Sequence, residues 1–137
     1  MNNKKLAFFI DLKPAVEDFS AAVAHGLSQS PKELPCRFFY NEAGSALFEK
    51  ICETEEYYVT RAEKALLTRI APEIAAIAGP GCSVVELGTG SNAKIRILLN
   101  ALEAPSAYIP IDISGVHLLA AATEMAVEFP DVAVGAI

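Results

Sequence analysis

The sequence contains no tryptophan, only two histidines and only three cysteines. Cys36, Cys52 and Cys82 are odd in number and widely spaced, and no C-x-x-C pair occurs. Neither a disulfide framework nor a zinc site is expected from them, and free thiols fit a reducing compartment. Positive charge is also scarce. Eleven basic residues stand against 17 acidic ones, a formal charge of −6. Phosphate-backbone binding needs a basic footprint, so no nucleic-acid partner is expected, and an anionic membrane surface is disfavoured for the same reason. No apolar run approaches the roughly 20 residues of a membrane span. The opening MNNKKLAFFIDLK has a short apolar run, Leu6 to Ile10, but Asp11 follows where a signal peptide would need small residues. The expectation is a soluble, cytoplasmic protein.

What the chain has in quantity is apolar side chain, 53% of 137 residues with a mean hydropathy of +0.33. That is enough for one packed core. No internal repeat or low-complexity tract is present. The turn cluster Gly79-Pro80-Gly81 divides the chain into a helical N-terminal region, 1–80, and an α/β region, 81–137. In the first, Pro14 opens a helix running to about Gln29, with Val16, Phe19, Val23 and Leu27 at helical spacing. A short helix carrying Leu47, Phe48 and Ile51 follows the aromatic run Arg37 to Tyr40. Another begins near Thr60, with Leu66, Ile70, Ile74 and Ile77 in phase. Pro72 is expected to kink it or to start a second helix, because proline has no N–H for the ladder.

After Gly81 the periodicity changes. Ser83–Leu87, Ala107–Ile111 and Val132–Ala136 read as buried strands, and Ala93–Leu102 and Val116–Phe129 as amphipathic helices between them. Strand–helix–strand–helix–strand implies parallel strands with right-handed crossovers, the first half of a doubly wound α/β sheet. Pro110 sits awkwardly in the second strand but near its carboxyl end.

The chemistry concentrates where the first of these strands meets its helix, in Glu86-Leu87-Gly88-Thr89-Gly90-Ser91-Asn92-Ala93-Lys94. Gly88 permits a tight turn, and Gly90 lets the backbone approach a ligand. The helix N-terminus offers free N–H groups. Asp112, at the carboxyl end of the next strand, falls beside the same crevice and can accept both hydroxyls of a ribose. Gly88 to Ala93 also satisfies G-x-G-x-x-A, and Asp112 lies at the distance a nicotinamide dinucleotide site requires. Three features favour S-adenosylmethionine over NAD: Glu86, an acid suited to a cationic sulfonium; the long helical region before the first strand; and Lys94, a cation in a helix's first turn. The dipole disfavours a cation there unless a carboxylate meets it.

FFYNEAGSALFEKI (Phe38 to Ile51), EEYYVTRAE (Glu55 to Glu63), VELGTGSNAKIRILL (Val85 to Leu99) and YIPIDIS (Tyr108 to Ser114) together resemble the histidine-specific N-α-methyltransferase family of ergothioneine biosynthesis. The resemblance runs from about Leu34 to the end of the chain. It implies a Rossmann-like class I methyltransferase sheet and S-adenosylmethionine-dependent methylation of the α-amino group of histidine or a related amino acid. It further implies cofactor contacts at Gly88, Lys94 and Asp112, a substrate contact at Tyr57, and an aromatic wall of that pocket at Tyr40. Val59 departs from the proline many relatives carry. The second departure is that a family member continues far beyond Ile137, so the chain corresponds to an N-terminal portion and is expected to be inactive by itself. No general base is assigned, since His25 and His117 stand isolated in the sequence. Because the fourth strand of such a sheet normally covers the edge of 83–87, that edge is expected to be bare and open to self-association. The rival readings are an NAD-dependent oxidoreductase and a non-catalytic module that keeps a cofactor half-site.

Overall fold

The computed structural model describes residues 6–13 and 17–137. Its elements in chain order are strand β1 (Phe8–Phe9), helix α1 (Phe19–Ser28), a 3-10 turn (Cys36–Phe39), helices α2 (Glu42–Glu53) and α3 (Val59–Ala78), strand β2 (Ser83–Leu87), helix α4 (Ala93–Ala101), strand β3 (Ala107–Ile111), helix α5 (Gly115–Glu128) and strand β4 (Ala133–Ala136). The sheet is wholly parallel in the order β1-β4-β3-β2. The expected α/β class, with N-terminal helices leading into a partial doubly wound sheet, is the one observed.

Strand pleating decides which face is buried. Val84 pairs across to Tyr108 and Tyr108 to Val134. These side chains form the core with Ile95 and Leu99 of α4 and Leu118, Ala122 and Met125 of α5. Both crossover helices therefore cover one side. The alternate residues point the other way: Val85 opposite Ile109, and Leu87 opposite Ile111. Val85 and Leu87 are 57% and 79% exposed. On that same open side the Phe8 ring lies over Gly135, where an added Cβ would stand 2.3 Å from it.

Four expectations are corrected. First, Phe8 and Phe9, read only as part of a short apolar opening on the helical side of residue 80, form a strand. The Ala7 N–H donates to Val134 O at 2.7 Å and the Ile10 N–H to Ala136 O at 2.9 Å. A two-residue strand has no periodicity to detect. Second, α1 starts at Phe19 because Asp18 caps it, accepting from the Ala21 N–H at 2.7 Å. The Pro14 and Val16 positions of the expected longer helix lie outside the described residues. Third, α3 is one helix from Val59 to Ala78 with Pro72 inside it, so Pro72 does not start a second helix. Both Pro72 and Thr68, whose carbonyl loses its donor, are exposed, so water can satisfy that carbonyl. Fourth, α3 buries Ala71 and partly buries Ile70, Ile74 and Ala75, while Leu66 and Ile77 are 46% and 87% exposed.

Pro110 lies in the central strand and is tolerated for a countable reason. The Ile137 N–H still donates to Pro110 O at 3.1 Å, and the Asp112 N–H to Ile137 O at 3.2 Å. Only the one bond that a residue 110 N–H would give β4 is missing. Leu118, 1% exposed at the centre of the core, should be costly to truncate. Leu118→Ala is expected to destabilise by about 2–5 kcal/mol in urea denaturation.

Candidate functional site

The parallel register of β2 and β3 ends both strands at the same edge of the sheet, with Leu87 opposite Ile111. The ladder continues one step further through the Gly88 N–H, which donates to Ile111 O at 2.9 Å. This brings the glycine loop beside Asp112. Gly88 and Gly90 have φ of +72° and +51°, a region L-residues rarely enter, and nothing stands within 4 Å of a Cβ built on either. The glycines therefore serve the turn, and the space above them is open to a ligand.

Asp112 is half-buried. Its Oδ1 accepts from the Ser114 N–H at 2.8 Å, which fixes the carboxylate as an Asx turn at the start of α5. Its second oxygen takes no hydrogen bond among the described residues. Beneath the loop, Glu86 is held by the phenol of Tyr108, which donates to Oε2 at 2.5 Å. Tyr108 sits opposite Val84, so its ring leans along the strand to reach Glu86 two residues on. Burial pushes the Glu86 carboxyl above its ordinary value. The Tyr108 hydrogen bond and the charge of Lys94 oppose that shift, while Asp112 adds to it. The Tyr108 phenol is pushed strongly upward, by burial first and then by Glu86. A partly desolvated acid thus waits under the loop with one hydrogen-bond donor to its carboxylate.

Lys94 meets a carboxylate, as its position in a first turn requires. The partner is Glu63 of α3, whose two oxygens lie 3.1 and 3.2 Å from Nζ. Asn92 gives α4 no side-chain cap. Instead its Nδ2 donates to Glu124 Oε2 at 2.6 Å and to Ala121 O at 3.1 Å, tying the loop to α5. Arg96 completes this network, donating to Glu124 at 2.6 Å and Glu128 at 2.7 Å. The Asn92 hydrogen bond first, and Arg96 second, hold the Glu124 carboxyl below its ordinary value. The Asn92 Oδ1 and Thr89 Oγ1 atoms are buried without partners. The Thr89 hydroxyl lies near enough to the Tyr108 phenol to oppose its shift weakly, yet completes no well-formed hydrogen bond. His117, expected to be isolated, contacts the loop: its Nε2 is 3.1 Å from Gly90 O.

Glu86, Gly88, Gly90, Lys94 and Asp112 therefore lie near one another at the carboxyl ends of β2 and β3. Tyr57 and Tyr40 are placed differently. Tyr57 is half-buried with its ring edge-on to Phe48, centroids 5.7 Å apart. Tyr40 is 57% exposed and ends the 3-10 turn. No hydrogen bond links either to the glycine loop among the described residues. Sequence reading missed Glu63, Asn92, Tyr108 and His117, whose partners lie 22–32 residues away in the chain. No local signal announces such pairs.

A parallel sheet with a glycine loop after one strand and an acid after the next is the Rossmann-like architecture of cofactor-binding domains. Residues 19–137 match the family described as histidine-specific methyltransferase, SAM-dependent, and the chain belongs to that family. It is 36% identical over 135 residues to a histidine N-alpha-methyltransferase of Mycolicibacterium smegmatis, covering 96% of this chain and 42% of that protein. A second histidine N-alpha-methyltransferase, from Mycobacterium tuberculosis, is 38% identical over 118 residues, 84% of this chain and 36% of that protein. Ergothioneine biosynthesis protein 1 of Neurospora crassa is 44% identical over 73 residues, 53% of this chain and 8% of that protein. The chain spans less than half the length of the curated relatives it matches. Among the described residues, no helix is long and apolar enough to cross a membrane.

The raised carboxyl of Glu86 gives a signed expectation. Its proton is held more tightly in the folded chain than in the unfolded one, so its contribution to stability is complete below about 4.5. It is lost as pH rises through the folded value. Glu86→Gln keeps an acceptor for Tyr108 and removes the titration. Urea melts from pH 4 to 7 should show the wild type losing stability relative to Glu86→Gln as pH increases. A difference independent of pH would contradict this.

Proposed function

We infer that the protein transfers a methyl group from S-adenosylmethionine to the α-amino group of histidine or a related amino acid. The observation that carries this reading is the convergence of a half-buried acid, an open glycine loop and a fixed aspartate at the carboxyl ends of β2 and β3. The residues present suit the donor. Open space over Gly88 and Gly90 admits a close ligand, and the second oxygen of Asp112 is available to ribose hydroxyls. Glu86 offers negative charge in a partly desolvated place, where a cationic ligand gains most. When bound, the sulfonium cofactor supplies a methyl group for in-line attack by a neutral amine. This chain's contribution is positioning and exclusion of water. Gly88, Gly90, Lys94 and Asp112 would hold the donor, while Tyr57 would contact the acceptor and Tyr40 would form an aromatic wall of its pocket. The names of the relatives, together with the four motifs from Phe38 to Ser114, support histidine as the acceptor.

Calorimetric titration with S-adenosylhomocysteine should show saturable binding. Asp112→Ala should weaken it by about tenfold or more, the effect of losing charge-assisted hydrogen bonds. Binding of NAD in place of S-adenosylhomocysteine would select an oxidoreductase. A folded protein that bound neither would favour a non-catalytic module.

The same reading bears on assembly. β2 pairs only with β3, and its other edge is free among the described residues. An unpaired edge beside exposed Val85 and Leu87 is a template for a second copy. Light scattering of the 14.6 kDa chain should report self-association, and a monodisperse monomer would argue against it.

A further inference from the structure

The first turns of α3 carry two contacts that face opposite ways. Arg61 forks back toward the turn that precedes the helix, its Nη1 donating to Thr54 O at 2.7 Å and its Nη2 to Glu55 O at 2.6 Å. That turn, Thr54 to Tyr58, presents Tyr57, and the fork clamps its first two carbonyls. Glu63, two residues on, points instead to α4 and holds Lys94 through both carboxylate oxygens. Residues two apart on a helix project about 200° apart, so one rigid turn can serve two sites at once. A helix that is continuous through this point transmits displacement as a body.

We propose that Arg61 and Glu63 are positioning residues that couple the Tyr57 turn to the cofactor loop, so that amino-acid acceptor and methyl donor each strengthen the binding of the other. The proposal rests on the methyltransferase reading above, and deepens it by naming the link between its two half-sites. Stability does not account for the Glu63–Lys94 pair. Its side chains are 50% and 35% exposed, and exposed pairs of this kind contribute little to folding. Their alignment matters instead, because Lys94 stands at the start of α4 beside the loop and Arg61 fixes the path of the substrate-side turn. By linkage, whatever factor histidine exerts on donor affinity, the donor exerts on histidine affinity.

The test is calorimetry on the intact protein, with S-adenosylhomocysteine and histidine titrated singly and then each in the presence of the other at saturation. Wild type should show a reciprocal coupling factor of about fivefold or more. Glu63→Gln should bring that factor close to one while each ligand alone still binds, and Glu63→Asp should recover part of it. Arg61→Gln should weaken histidine by about tenfold and leave S-adenosylhomocysteine alone nearly unchanged. Because the Glu63–Lys94 pair is exposed, high salt should shrink the wild-type factor without any substitution. An unchanged factor in Glu63→Gln, a wild-type factor of one, or a factor insensitive to salt would overturn the coupling while leaving the methyltransferase reading intact. Wild type that binds no S-adenosylhomocysteine would remove that reading, and the coupling with it.

Discussion

The Gly88 N–H that donates to Ile111 O, 2.9 Å away, is the last rung of the ladder between β2 and β3, and the site depends on it. It fixes where one strand stops being a strand. One residue later the chain must turn, and it does so at positive φ because Gly88 and Gly90 allow it. The same rung sets the facing loop, since Ile111 is the last residue of β3 and Asp112 the first beyond it. A slip of one residue would carry Glu86 to the open face and Val85 to the covered one. The meeting of the glycine loop and Asp112 is thus a consequence of register, and register is held by the core residues Val84, Tyr108 and Val134 packed under α4 and α5.

Within that frame the buried acid has a physical logic. Placing Glu86 under the loop raises the cost of its charge, and Tyr108 offsets part of that cost with one short hydrogen bond. A fully compensated carboxylate would have little reason to attract a cation. A wholly uncompensated one would take up a proton and stop attracting it. With that one donor and the nearby charge of Lys94, burial still prevails and the Glu86 carboxyl stays above its ordinary value. The asymmetry of the loop's anchoring follows the same division. Asn92 forgoes the cap of its own helix to bind α5, which leaves the first N–H groups of α4 without a side-chain acceptor.

Most of this frame was legible in the sequence because it is periodic. Ser83–Leu87 and Ala107–Ile111 were read with the boundaries observed, since short apolar runs bounded by turn residues leave little choice. The loop residues and Asp112 were legible because topology alone brings the carboxyl ends of neighbouring parallel strands together. What was illegible is long-range or aperiodic. Two phenylalanines cannot announce a strand. Leu66 and Ile77 satisfied a helical period and yet face solvent, because the buried side of α3 is centred on Ala71, with Ile70, Ile74 and Ala75 partly buried beside it. Glu63, Asn92 and Tyr108 carry no mark in their own neighbourhoods. Their roles exist only through Lys94, Glu124 and Glu86, each more than 20 residues distant.

The distribution of exposed apolar surface bears on how the two halves of the site relate. Val85, Leu87 and Ile113 are exposed at or beside the carboxyl ends of β2 and β3, and Phe39, Tyr40, Leu47, Phe48 and Tyr58 are exposed from the 3-10 turn to the start of α3. Scattered apolar exposure is ordinary, and here it also runs outside the four motifs, from Phe8 to Val127. The sheet's other face is closed by α4 and α5, so its stability needs nothing from these residues. Their side chains are therefore free of the packing that fixes the core, and what orders them must be local. The local constraints among the described residues include the Asn41 and Thr54 caps of α2, the Thr60 hydroxyl donating to Cys52 Sγ, the Phe48–Tyr57 and Phe19–Phe38 ring contacts, the Arg37–Glu17 ion pair and the Arg61 fork. The fork joins the 54–55 backbone to α3, and from α3 Glu63 reaches Lys94 in the first turn of α4 by a side-chain hydrogen bond. The Tyr57 turn is thus tied to the start of α4 through a single helix, by two residues on that helix.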